Sequence, residues 1–172
     1  MNSIELLREQ LKNAHQLQES TVADLTDAAA HFTETNKALP AGAAYAHSVI
    51  SEDVIVATML AHKDQVFTNA EESGLSEAMP GFDEWEKHEV WVKSVKVDLE
   101  KFKAYAAKVY QATDEYLSTL KEEDLETELD LGAFGKHTLS GVLTNFVLLH
   151  IASLTGEISA AKGMQGLKGY PF

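Results

Sequence analysis

Cysteine is absent from the 172-residue chain, which excludes disulfide frameworks, Cys-ligated zinc, iron–sulfur clusters and cysteine nucleophiles. Basic residues are scarce: 14 Lys and Arg stand against 27 Asp and Glu, for a net charge of -13 with the seven histidines neutral. Phosphate neutralisation supplies most nucleic-acid affinity, so a chain this acidic, with no long Lys/Arg run, is expected to bind neither DNA nor RNA. Anionic membrane surfaces are disfavoured for the same reason. Long apolar runs are missing too. The longest, Val142 to Leu154, is interrupted by Thr144, Asn145, His150 and Ser153 and is shorter than the roughly 20 residues of a membrane span. Residues Met1 to Lys12 alternate charged with apolar side chains and lack the apolar core of a secretory signal. A soluble cytoplasmic protein, with no membrane partner, is the expectation.

Proline is rare as well, at Pro40, Pro80 and Pro171, and between these breaks the apolar residues recur at helical spacing. With 45% hydrophobic and 24% charged residues, the chain reads as one globular domain over residues 1–172. Ile4, Leu7, Leu11 and Ala14 mark a first helix behind Asn2 or Ser3 as N-cap, and a shorter one follows from Val22. Pro40 suits the first position of the next, whose face reads His47, Ile50, Val54, Ala57, Ala61. From His62 to Glu89, Gly74, Pro80 and Gly81 break the pattern, and Phe67, Leu75, Met79, Phe82 and Trp85 keep no period. This is a long connection. A third long helix shows the seam Val92, Val95, Leu99, Phe102, Ala106, Val109, Thr113, Tyr116. A second connection runs from Glu122 through Asp130, Gly132 and Gly135 to an N-cap at Thr138 or Ser140. The last helix carries Leu139, Leu143, Phe146, Leu149, His150, Ser153 and Glu157 on one face. Four amphipathic segments with narrow apolar stripes predict an all-α four-helix bundle, and the long connections predict crossovers; the alternative is an irregular helical fold.

Bundle cores often hold metals through Glu-x-x-His pairs. None of the seven histidines (His15, His31, His47, His62, His88, His137, His150) has a carboxylate three residues before it. The sequence His88-Glu89 has Val92 where a zincin's second histidine belongs, and no P-loop, dinucleotide fingerprint or nucleophile elbow occurs. His47 and His150 fall on the apolar faces of two different helices, the other histidines on polar faces or in connections. Two readings stay open for this pair: core histidines satisfied by a hydroxyl or carbonyl, or donors converging on a divalent metal. Glu52 and Asp53 point about 140° and 120° away from His47 at 100° per residue, so the acidic residues are expected mainly on solvated faces. Phe82, Trp85 and Trp91 form either a satellite core or the wall of a pocket.

The run from His150 to Ile158 (HIASLTGEI), with the tail from Lys162 to Phe172 (KGMQGLKGYPF), resembles the last helix and tail of the DinB-like superfamily, a family distinct from the DNA polymerase of that name. The run from Ala43 to Asp53 (AAYAHSVISED) resembles its second helix. The order of elements agrees, from Ala23-Asp-Leu-Thr26 through Val97-Asp-Leu99 to Lys136-His-Thr138, so the likeness spans essentially the whole chain. It implies a bundle with crossovers, often a homodimer, and in many members a divalent metal held by one histidine of the second helix and an H-x-x-x-H pair of the fourth. Members with known activity act on small molecules, notably as thiol-dependent transferases or isomerases. Carried over, the ligands fall on His47 and His150, and the third position is Leu154, which cannot donate.

Three functions remain open. One is a divalent-metal-dependent enzyme (zinc, nickel, manganese or iron) of hydrolase or thiol-dependent transferase type, with a degenerate site at His47 and His150 and a polarised water. The second is a metal-free bundle that binds a small ligand without catalysis. The third is a dimeric interaction module with an acidic surface. Glu157 is expected in a buried hydrogen-bonding or capping role, and the apolar tail from Gly166 to Phe172 is expected to pack on the bundle or a second copy.

Overall fold

Asn2 opens the first helix in the computed structural model, which describes residues 1–33, 38–66 and 69–172; Phe67 lies outside the described residues. The Asn2 side chain accepts from the Glu5 N–H while Glu5 reaches back to the Asn2 N–H, a reciprocal cap. Helix α1 then runs over Ser3–Val22. The shorter helix expected from Val22 is instead α2, Asp27–Ala30, because Thr26 supplies the N-cap oxygen. Pro40 precedes α3, Ala41–Asp53, and the helix continues through a π-helical segment, Val54–Leu60.

The expectation of narrow apolar stripes does not hold for α3. From Ala41 to Asp53 every residue except the half-buried His47 is buried. Small side chains let neighbouring backbones approach; a Cβ on Gly42 would lie 3.1 Å from the Ala30 carbonyl oxygen. Helix α3 is therefore the central element. It packs on α6 (Leu99–Thr119) and on α8 (Leu149–Met164), and α1 packs on the same two helices. This places α1 diagonal to α3 and α6 diagonal to α8, the four-helix bundle with crossovers that the sequence predicts.

The first crossover holds α4, Ala70–Ser73, and α5, Trp85–Ser94. Val92 belongs to α5, not to the long helix after it. Val95 ends α5, Val97 is extended and pairs with Leu75, and Asp98 caps α6 by accepting from the Lys101 N–H. The second crossover is not purely irregular. A 3-10 turn, Glu122–Glu126, leads into a hairpin of β1, Glu128–Asp130, and β2, Lys136–Thr138, paired antiparallel with Leu129 opposite His137. Thr138 caps the next helix.

That helix begins as α7, Leu139–Gly141, winds through a second π-helical segment, Val142–Leu148, and becomes α8. The joined run Leu139–Met164 is 26 residues long and, by length and composition alone, apolar enough to cross a membrane, although the sequence bounded its apolar part at Val142 to Leu154. In this fold Leu143, Val147, Ile151, Leu154 and Ile158 are buried in the bundle. The buried stripe is thus rotated from the expected one: Leu149 is 58% exposed, and Ser153 and Glu157 are exposed as well. Glu157 has no buried role. In the tail, Gly169 and Tyr170 fold against Ser159 and Gly156 of α8, whereas Leu167 and Phe172 are exposed.

Candidate functional site

The two π-helical segments face a common pocket. An α-helix has 3.6 residues per turn, so a row at i, i+4 drifts around the axis by about 40° per step; the wider π turn brings the row back. Along α3 and its π segment, His47, Ser51, Ile55 and Met59 line one wall. Along the opposing helix, Val142, Phe146 and His150 line the other at the same spacing, with Asn145 beside them. π turns occur frequently at functional sites. The first crossover closes a side with Phe82, Trp85 and His88, and the hairpin adds Leu131 and Phe134. The cavity measures about 290 Å³, and no Asp, Glu, Lys or Arg is among its lining residues.

His47 and His150 do come together, with ring centroids 5.0 Å apart. The structure adds a third imidazole from α5. His88 Nε2 lies 2.8 Å from His47 Nδ1, one of the two carrying the shared proton, with ring centroids 4.6 Å apart. Sequence reasoning weighed His88 only as a zincin motif and missed it here, since no spacing links a residue of the crossover to α3. Burial, then the neighbouring His150 and His88, pushes His47 down to about 3; burial also lowers His88 and His150. Burial thus favours the neutral form of all three imidazoles.

The metal set implied by the resemblance does not fit this arrangement. Leu154 is buried in the apolar core with α3 and α6 residues and is not on the pocket wall. Among the described residues, no group of three or more His, Cys, Asp or Glu is arranged to hold a metal ion. His150 Nε2 and Ser51 Oγ are buried without a hydrogen-bond partner. The aromatic trio divides: Phe82 and Trp85 are pocket wall, while Trp91 is core.

A second polar cluster lies within the bundle and corrects the expectation that acidic residues sit on solvated faces. Glu52, 2% exposed, accepts from His15 Nε2 at 3.1 and 3.0 Å and from the Thr113 hydroxyl at 2.6 Å. His15 is itself buried and stacks on Tyr110 at 3.9 Å. Asp53 accepts from the Tyr105 hydroxyl at 2.8 Å and from the Val66 N–H at 3.0 Å. Tyr45 and Tyr110 both donate to Glu19, and burial pushes the pKa of Tyr45, Tyr105 and Tyr110 above the usual phenol value. These satisfied groups tie α1, α3 and α6 together.

A solved structure shares this fold. A crystal structure of a conserved protein from Enterococcus faecalis superposes with a TM-score of 0.76 over 95% of this chain and 99% of that one, at 21% identity. No curated protein matches the chain. The family description that matches is the DinB superfamily, over residues 10–152, which takes in His47, His88 and His150 and stops short of Leu154. The chain belongs to the DinB superfamily.

Proposed function

We propose that the protein binds a small, largely apolar molecule in the pocket between α3 and the opposing α7–α8 run, with its imidazoles acting as neutral hydrogen-bonding groups. The observation that carries this reading is the wall itself: aromatic and aliphatic side chains with a few convergent polar groups and no charged residue, the usual make-up of a small-molecule site. The core position of Leu154, and the lack among the described residues of three donors arranged around an ion, favour it over a divalent-metal enzyme.

Calorimetric titration with naphthalene tests the proposal, comparing the wild type with a Met59→Trp variant that fills the pocket. One-to-one binding by the wild type, lost in the variant, supports the reading. No binding by the folded wild type, or equal binding by both, overturns it. We also propose a homodimer, in which a second copy covers the exposed Val90 and Leu149; sedimentation equilibrium giving twice the chain mass supports it and a monomer overturns it.

A further inference from the structure

Among the described residues, only two buried side-chain polar atoms lack a hydrogen-bond partner, Ser51 Oγ and His150 Nε2. Both belong to residues lining the same pocket, one on the α3 wall and the other on the opposing α8 wall. Loose packing does not account for the pair, because the buried hydroxyls and amide elsewhere are satisfied: Thr113 donates to Glu52, Thr21 to the Leu17 carbonyl, Thr155 to the Ile151 carbonyl and Gln18 to Ser48. A buried donor or acceptor left unpaired costs free energy that a matching ligand group recovers.

We infer that the ligand is a neutral apolar ring bearing a hydroxyl group, and that Ser51 and His150 receive that hydroxyl. The inference rests on the pocket reading above and narrows it to a ligand class. A hydroxyl supplies one donor and two acceptor lone pairs, so it meets the Ser51 hydroxyl and the His150 nitrogen whichever tautomer the ring adopts. Other chemistries fit worse. A carboxylate finds no Lys or Arg on the wall, and a cation finds no Asp or Glu. An unpaired charge in such surroundings is strongly disfavoured. A plain hydrocarbon leaves both polar atoms as they are. For size, a cavity of about 150 Å³ holds benzene, so one of about 290 Å³ takes two fused rings or one ring with a short tail.

The test titrates the full-length protein at pH 7 with naphthalene, its hydroxyl derivative beta-naphthol and its carboxylate beta-naphthoate. The wild type is expected to bind the naphthol about tenfold more tightly than naphthalene, the size of one or two net hydrogen bonds, and the naphthoate most weakly. In a Ser51→Ala/His150→Phe double variant the ratio of naphthol to naphthalene affinity is expected to fall to about one, whatever the absolute affinities. In the wild type, the His150 ring nitrogen resonance shifts with naphthol and not with naphthalene, a readout that needs no variant. Equal affinity for naphthol and naphthalene, tightest binding of the naphthoate, or a preference that survives in the double variant overturns the inference and leaves the pocket standing. Failure of all three compounds to bind overturns the pocket reading itself.

Discussion

Lowering the pH from 7 to 5 is expected to weaken the fold by about 2 kcal/mol through His47 alone. In the folded protein, burial and the neighbouring His150 and His88 hold this imidazole down at about 3; in the unfolded chain it titrates near the usual value of about 6.5. Above that value both states are neutral and His47 adds no pH dependence. Below it the unfolded chain takes up a proton that the folded one refuses, so stability falls by about 1.4 kcal/mol per pH unit until the pH nears the folded value. About one and a half units lie between 6.5 and pH 5, which gives the figure. His88 and His150, on α5 and α8, are lowered in the same direction and add to the trend. The assay is urea unfolding at pH 7, 6 and 5 for the wild type and a His47→Leu variant. Carboxylates titrate alike in both, so the difference in slope isolates His47. A variant whose stability falls with pH as steeply as that of the wild type would refute the reasoning.

Three further outcomes are expected. Glu52→Ala leaves His15 and Thr113 without their shared acceptor and should cost about 3 kcal/mol or more in urea unfolding, with Glu52→Gln losing less because it still accepts from Thr113. Lys162→Met removes an ammonium that donates to the Thr21 carbonyl at 2.6 Å and to Asp24 at 2.5 Å; the expected loss is about 1–3 kcal/mol. In that variant the Asp24 carboxyl, now held below the ordinary carboxylate range by Lys162, should titrate closer to it by NMR. Gly74→Ala forces a side chain onto a backbone at φ 85°, with its Cβ 2.7 Å from that of Lys101. A loss of about 1–3 kcal/mol is expected, read as a lower melting temperature.

The bundle was legible because its signals are local. Caps at Asn2 and Thr138, and the helical spacing of Ile4, Leu7 and Leu11, are written within a few residues of each other. The orientation of the last helix was not legible. A π turn between Val142 and Leu148 changes the residues per turn, so a stripe read at the α-helical period ends on Leu149, Ser153 and Glu157, all exposed. The site was half legible. His47 and His150 could be picked as polar residues on apolar faces, but His88 reaches His47 through a crossover whose path no periodicity encodes. Glu52 and His15 were misread for a related reason: α3 is buried on nearly all sides, so an acidic residue away from its apolar face meets another helix rather than water.

In the proposed function, an aromatic pocket with neutral imidazoles, rather than a histidine-held ion, is the functional centre of this protein. A crystal structure grown with zinc and naphthalene both present tests it most directly. The expected result is ring density between Phe82, Trp85 and Phe146, with His47 still paired to His88 and no anomalous zinc signal at either. Zinc bound to His47 and His150 in a pocket empty of naphthalene would contradict it.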